Sequence, residues 1–103
     1  MDELIKSINQ YSNGQRIIVK FKNKLELLAS IDTIYETNNE LEMGDENYEE
    51  FFACLIQVLK IINFLVDDTF VPIQDDFIEI TMKKEVEKIT LENGIILWGK
   101  DDV

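Results

Sequence analysis

The amino-acid sequence predicts a mainly β protein, a small barrel of five to six strands preceded by one N-terminal helix. Apolar side chains recur at every second position from Ile17 to Ile31 and again from Ile78 to Trp98, which is the period of strands with one buried face. Asn93-Gly94 separates two apolar segments, as in a tight β-hairpin. With 103 residues the chain is long enough for one hydrophobic core, so we expect a single domain over residues 1–103.

The N-terminal helix is predicted for residues 2–11. Asp2 and Glu3 fall in its first turn, where the helix dipole favours negative charge, and Ser12-Asn13-Gly14 ends the pattern. The apolar positions follow helical spacing and are Leu4, Ile5, Ile8 and Tyr11. We therefore expect a short amphipathic helix.

A first hairpin is predicted for residues 16–32, with a three-residue loop at Asn23-Lys24-Leu25. This register sets Phe21 opposite Leu27 on the apolar face. On the other face it pairs opposite charges, namely Arg16 with Asp32 and Lys22 with Glu26.

A second hairpin is predicted around a two-residue turn at Asn93-Gly94, which suits the positive φ angles of a type I′ turn. This turn sets Leu91 opposite Ile96 and Ile89 opposite Trp98. Residues 77–82 supply a further strand just upstream.

Two readings stay open for the middle of the chain. Apolar side chains at Tyr48, Phe52 and Leu55 begin a helical stripe, so an α+β protein with residues 48–63 helical is the alternative fold. Residues 51–62 are also apolar on both alternating faces, as in a strand covered on both sides. Periodicity alone does not decide between them.

The charge balance restricts the classes of partner. The chain carries 21 acidic and 10 basic residues and a net charge of −11, so its mean field repels phosphate backbones and anionic lipids. The N-terminus lacks the basic flank of a signal peptide, and the most apolar window, residues 51–66, is shorter than the roughly 20 residues of a spanning helix. We expect a cytoplasmic protein for which nucleic-acid and membrane binding are disfavoured.

The residue types exclude the commonest catalytic sites. The chain has no histidine and one cysteine, Cys54, so Ser-His-Asp and Cys-His arrangements and a structural zinc site are not available. Cys54 has apolar neighbours and is predicted to be a small buried hydrophobe. The pairs Asp67-Asp68 and Asp75-Asp76 are interpreted as solvated loop charges. We expect no enzymatic activity, no cofactor and no metal.

An acid-rich segment is the first candidate for a binding surface. Residues 36–50 hold seven acids and no base, without the spacing of an EF-hand calcium loop. A solvated loop and a partner-binding edge are both compatible with this composition. The candidate partner-binding residues are Glu40, Glu42, Asp45 and Glu46, together with Trp98, for which packing on Ile89 is the alternative.

A basic strand is the second candidate. Five bases and no acid lie between Ile5 and Leu25, whereas residues 26–59 hold nine acids and no base. Either the neighbouring acidic strand neutralises these bases, or Arg16, Lys20 and Lys22 form a positive stripe that binds nucleic acid.

The order of elements resembles the first motif of Sm-like proteins, with a helix, the strand Arg16-Ile17-Ile18-Val19-Lys20-Phe21-Lys22-Asn23, and a second bent strand. The run Ile96-Leu97-Trp98-Gly99-Lys100-Asp101 is similar to the second motif of that family. The resemblance implies an SH3/Sm-like barrel and RNA binding, with Asn39 in a matching place. The chain departs from the family at Lys24, where the family has glycine, and at Tyr35, where it has the RNA-binding aspartate. In general style the chain also resembles small acidic proteins of low-GC Gram-positive bacteria.

Three roles are compatible with these features. The leading hypothesis is a non-enzymatic interaction module that binds a protein partner through its acidic loop or an exposed edge strand. The second is an Sm-like nucleic-acid binder. The third, supported by net charge alone, is an immunity protein, an antitoxin or a nucleic-acid mimic whose carboxylates cover a basic active site. The identity of the partner and the oligomeric state stay open.

Overall fold

The computed structural model describes residues 2–11, 13–22, 24–63, 74–82 and 86–99. The elements in these residues are α1 (Glu3–Asn9), β1 (Arg16–Phe21), β2 (Glu26–Asn38), β3 (Glu50–Asn63), β4 (Phe77–Ile80), β5 (Val86–Leu91) and β6 (Ile96–Gly99). The strands form one antiparallel sheet in the order β4-β3-β2-β1-β5-β6, which confirms the mainly β class. Asn23, the Asp67-Asp68 pair and the last two residues of the second Sm-like motif lie outside the described residues.

The predicted N-terminal helix is confirmed. It spans Glu3–Asn9 and is shorter than the predicted range of residues 2–11. The Asp2 carboxylate accepts a hydrogen bond of 2.9 Å from the Ile5 backbone N–H, which satisfies a donor that has no partner inside the first turn. Leu4, Ile5 and Ile8 are buried. Because α1 lies against β6 and β3, it covers the apolar face of the sheet.

The first hairpin forms between β1 and β2, but its register differs from the prediction by two residues. Val19 lies opposite Leu27, and the Phe21 N–H donates to the Leu25 carbonyl at 2.8 Å, whereas the prediction set Phe21 opposite Leu27. A shift of two residues leaves the same side chains on the buried face, because side chains alternate along a strand. The apolar pattern therefore determined the face and left the register open.

Both hairpins close with the same kind of turn. The Lys24 N–H donates to the Phe21 carbonyl at 2.9 Å and the Gly94 N–H donates to the Leu91 carbonyl at 3.0 Å, and these two donors have φ angles of 77° and 92°. A three-residue loop that ends in a left-handed residue has this pattern. The predicted two-residue turn at Asn93-Gly94 is therefore wrong.

The strands on either side of the second turn keep part of the predicted pairing. Ile89 lies opposite Trp98 as predicted. The Leu91 N–H instead donates to the Ile95 carbonyl at 2.9 Å, and an irregularity between Ile89 and Thr90 absorbs the difference of one residue.

Residues 50–63 form β3, so the alternative with residues 48–63 helical is wrong. β3 pairs with β2 along its length and with β4 from Cys54 to Gln57. Its backbone groups thus have strand partners on both sides over that stretch. Long-range pairing of this kind outweighs a local helical spacing of apolar residues.

The core lies mainly on the face of the sheet that α1 covers. A smaller apolar cluster at the β1–β2 turn contains Leu25, Leu27 and Val58, and Phe21 and Ile78 pack against both clusters. The buried residues of the main cluster are Leu4, Ile5, Ile8, Ile17, Val19, Ala29, Ile31, Cys54, Ile56, Ile80, Val86 and Ile89.

The sheet is open in the part of the chain that the structure describes. β4 and β6 are its two edges, and no ladder between described residues joins them. Register shifts between Leu28 and Ala29 and between Ile31 and Thr33 mark irregularities of the kind that bend a strand. The closed SH3/Sm-like barrel of the prediction is therefore not shown, and the observed architecture is one six-stranded sheet with a helix on its apolar face.

Candidate partner-binding site

The β2–β3 hairpin extends past the part of the sheet that carries the core. Ile34 packs on the core opposite buried Cys54. Two residues further along the same face, the exposed Glu36 lies opposite Phe52. The face of the hairpin that is apolar over the core therefore becomes acidic toward its tip.

The loop at the tip of this hairpin, residues 39–49, is held by its own polar groups. The Asn39 N–H donates to the Glu49 carbonyl at 3.1 Å, and the Asn39 side-chain amide donates to the Asn47 carbonyl at 2.8 Å. The Asp45 N–H donates to the Glu42 carbonyl at 2.9 Å, and the Asp45 carboxylate accepts from the Asn47 N–H at 2.8 Å. The structure thus gives Asn39 a role in shaping this acidic loop.

The acidic loop exposes charged and apolar side chains together. Leu41 is 40% exposed and Met43 is 81% exposed, which leaves two flexible apolar side chains among the acids. Glu40 has a φ of 66°, and its N–H donates to the Asn38 side chain at 2.8 Å. All four acids predicted for partner binding are exposed in this loop: Glu40, Glu42, Asp45 and Glu46.

A pocket of about 340 Å³ lies beside the acidic loop, where the start of α1 meets the end of the β2–β3 hairpin. We call it the acidic pocket. Its carboxylates come from three separate parts of the chain, and its apolar wall comes from two aromatic rings and a methionine. The lining residues are Asp2, Glu36, Glu49, Glu50, Phe51, Phe52 and Met82.

The pocket carboxylates of Asp2 and Glu50 accept hydrogen bonds from their own surroundings. Asp2 caps α1 through the Ile5 N–H, and Glu50 accepts a hydrogen bond of 2.9 Å from the Tyr48 hydroxyl, which raises the pKa of Tyr48. Among the residues that the structure describes, no group of three or more acids or thiols is placed to hold a metal ion.

Trp98 does not line the acidic pocket. It is half-buried, faces Ile89 across the β5–β6 ladder and packs against the main core cluster. This packing is the alternative to a partner contact that was predicted from the sequence, and a role of Trp98 in binding stays a prediction.

The predicted nucleic-acid residues are not brought together. Arg16 lies 3.6 Å from Glu92, and Lys20 lies 3.6 Å from Glu87, so acids of β5 and its following turn offset these bases. The prediction paired Arg16 with Asp32 and Lys22 with Glu26. In the observed register, Ser30 lies opposite Arg16 and Glu26 lies opposite Lys20. Lys22 is exposed at the β1–β2 turn, whereas Arg16 lies at the other end of β1. Asn39 lies nine residues along the chain from Ser30, the partner of Arg16.

Comparison with known families identifies the chain. A family model described as "Cognate immunity protein YxxD" matches residues 1–102. The chain belongs to this family. No curated protein and no solved structure matches it. Membership in the YxxD immunity family agrees with the third sequence hypothesis and with an interaction role, and it does not confirm the Sm-like resemblance.

In this YxxD immunity family member, the sequence had located the acidic loop but not the pocket beside it. Glu36, Glu49 and Glu50 were counted in the acid-rich segment, whereas Asp2 had been assigned only to the helix. Met82 falls in the strand predicted for residues 77–82, which in fact ends at Ile80. The sequence contained no signal that joins them, because the pocket depends on where α1 and the end of β4 dock.

Two further sequence expectations concern the thiol of Cys54 and membrane-spanning helices. Cys54 is buried, as predicted, and burial raises the pKa of its thiol to about 12, with a smaller contribution from Asp32. The described residues contain no helix with the length and apolar character of a membrane span.

Proposed function

We propose that this chain is an immunity protein that binds a toxin protein and blocks it by steric and electrostatic cover, without catalysing a reaction. The match of the immunity-protein family to residues 1–102 carries the proposal. "Cognate" describes a protein specific for its partner. The proposal unites the interaction module and the acidic inhibitor that the sequence suggested.

The acidic end of the molecule is the best-supported contact surface. Interfaces combine a few large apolar side chains with a polar rim, and the acidic loop offers exposed Leu41 and Met43 among Glu40, Glu42 and Glu46. Its internal hydrogen bonds hold much of the backbone in place. A preformed loop loses less conformational freedom on binding, which favours affinity.

The charge of the chain indicates the chemistry of the partner surface. A net charge of −11 steers association toward a positive patch and suppresses binding to acidic proteins. We therefore propose that the toxin presents a basic surface to the loop. The ion pairs of Arg16 and Lys20 with Glu92 and Glu87 support a protein partner over nucleic acid.

The proposal includes a cytoplasmic site of action, no cofactor and no catalytic activity. The lack of catalytic activity is supported by the absence of histidine from the sequence and by the one thiol, which is buried and has a raised pKa. A buried, protonated thiol is a poor nucleophile. Steady turnover of a small substrate by pure protein would overturn this part of the proposal.

Growth rescue tests the proposed function. The product of the neighbouring gene, expressed alone in a laboratory bacterium, should arrest growth, and co-expression of this chain should restore it. The triple variant Glu40→Gln, Glu42→Gln, Glu46→Gln should restore growth less well at equal soluble level, while Glu26→Gln at the far end of β2 should act like wild type. Growth arrest that the folded wild-type chain does not relieve contradicts the proposal, as does a neighbouring gene without a toxic product.

A further inference from the structure

The outer edge of β6 is a surface on which a further strand can pair. β6 pairs with β5 on one side, and no strand among the described residues pairs with its other side. An unpaired strand edge presents a row of backbone donors and acceptors that can pair with another chain. We infer that this edge pairs, antiparallel and about a two-fold axis, with β6 of a second copy of the chain.

The two edges of the sheet differ in charge. Native proteins protect exposed strand edges with charged side chains. β4, the edge at the other side of the sheet, carries Glu79 and follows the pair Asp75-Asp76. β6 carries no charge, and the seven residues from Asn93 to Gly99 are all uncharged. β6 therefore lacks the charged side chains that keep β4 from pairing with other chains.

The net charge of the chain favours a second copy at β6 and not at β4. Two copies with a charge of −11 each repel each other over most of their surfaces. In a β4–β4 ladder of four-residue strands, the two Glu79 carboxylates would lie close together, and facing like charges destabilise a strand pair. In a β6–β6 ladder, each residue of Ile96–Gly99 lies opposite an uncharged one. A basic toxin surface gains no electrostatic attraction at this neutral edge.

The residues at the start of β6 add apolar surface to this edge. Ile95 is 54% exposed and Ile96 is 37% exposed, although isoleucine is a residue type that is usually buried. Pairing with a second copy shields part of both side chains from water, which favours association.

β6 is held in place before it pairs. Trp98 packs against the main core cluster, and α1 lies against β6. At Gly99 an added Cβ atom would overlap the Glu87 carbonyl oxygen, so the end of β6 lies close against β5. A strand that is already fixed loses little conformational freedom when a second strand joins it.

The length of β6 predicts that the dimer is weak. A strand of four residues forms few ladder hydrogen bonds, and interfaces below about 1,200 Å² are typical of transient complexes. We therefore expect an equilibrium between monomer and dimer that depends on the concentration of the chain. The inference goes beyond the proposed function, and its test uses no toxin, so its failure leaves the immunity proposal standing.

Sedimentation velocity of the full chain tests the dimer. Between about 10 μM and 1 mM chain, the sedimentation coefficient should rise toward that of a dimer. The dimer should strengthen several-fold between about 50 and 500 mM NaCl, because salt screens the repulsion between two acidic copies. A chain that stays monomeric throughout these ranges overturns the inference. A dimer that weakens as salt rises also overturns it, because such a dimer is held by charged groups.

Two variants that add the same charge to opposite edges locate the contact. Ile96→Glu, on β6, should weaken self-association by about tenfold, because two added carboxylates approach each other across the axis. Phe77→Glu, at a 52% exposed position of β4, should change it by no more than about twofold. Circular dichroism and urea unfolding check that both variants fold, and Ile95→Glu replaces Ile96→Glu if that variant does not. Equal effects at the two edges overturn the inference.

Isotope-filtered NMR identifies the strands that meet. In an equal mixture of labelled and unlabelled chains, nuclear Overhauser effects between copies should connect Leu97 and Trp98 with β6 of the other copy. The amide protons of β6 should also exchange more slowly with solvent as the concentration of the chain rises. Contacts between copies that instead join β6 to β4 or to the acidic loop overturn the inference.

Discussion

The Tyr35 hydroxyl of β2 donates a hydrogen bond to the Glu79 carboxylate of β4, across the intervening strand β3. Burial of the phenol, together with this hydrogen bond to Glu79, raises the pKa of Tyr35 to about 12. β4 has four residues and is an edge of the sheet. The hydrogen bond therefore links the short edge strand β4 to β2, which lies two strands further into the sheet.

Removing the Tyr35 hydroxyl should destabilise the protein measurably. Tyr35→Phe leaves the Glu79 carboxylate without its donor, so we expect a loss of about 1–2 kcal/mol in the free energy of unfolding by urea. Tyr48→Phe is the control, because its hydroxyl donates to Glu50 at an exposed site, and it should leave the midpoint of urea unfolding unchanged. A Tyr35→Phe protein as stable as wild type would show that the contact does not fasten β4.

The same contact predicts a pH dependence. The pKa of Tyr35 is raised from 10.0 to about 12 in the folded chain, so the folded state holds the phenol proton more tightly than the unfolded state does. The stabilising contribution is complete below pH 10 and is lost as pH rises from 10 to about 12. The stability difference between wild type and Tyr35→Phe should therefore narrow over this range in urea titrations. A constant difference would contradict the raised pKa.

The two left-handed glycines of the second hairpin should differ in their tolerance of a side chain. At Gly99 (φ 94°) a Cβ atom would overlap the Glu87 carbonyl oxygen and lie 3.0 Å from the Lys88 Cα, whereas at Gly94 (φ 92°) it meets open space. We expect Gly99→Ala to cost about 3 kcal/mol and Gly94→Ala about 1 kcal/mol in urea unfolding. Equal costs would mean that β6 does not approach β5 this closely.

The Cys54 thiol should be unreactive in the folded protein. It has no exposed surface, and its pKa is raised to about 12 by burial, so thiolate is scarce at neutral pH. Iodoacetamide should label Cys54 only as urea unfolds the chain, with labelling followed by mass spectrometry. Labelling in native buffer as fast as in the unfolded chain would contradict the buried position.

The sequence predicted the faces of the strands better than their partners. Apolar alternation placed Ile17, Val19 and Leu27 correctly in the core, because burial constrains which side a residue faces. The predicted register was wrong by two residues in the first hairpin and by one residue beside the turn in the second. The reason is that the register of a hairpin follows from the geometry of its turn. Lys24 takes a left-handed conformation, and a lysine in a sequence does not predict one, whereas a glycine does.

The middle strand shows what local patterns omit. Phe52 and Leu55 fit a helical stripe and a two-sided strand equally well. The pairing of β3 with β2 and β4 decided between them, and pairing with distant residues has no local signature.

The candidate site was predictable in composition and not in shape. The exposed acids Glu40, Glu42 and Glu46 were identified from charge density. The acidic pocket was not, because Asp2 and Met82 lie 80 residues apart in the chain and meet only in the folded structure.

Direct binding to the toxin encoded by the neighbouring gene tests the central claim most closely. Isothermal titration calorimetry should show a complex with the wild-type chain. Its affinity should fall with rising salt and drop by about tenfold in the Glu40→Gln, Glu42→Gln, Glu46→Gln variant. A folded wild-type chain that forms no complex, or a triple variant that binds as tightly as wild type, would contradict an immunity protein that acts through its acidic end.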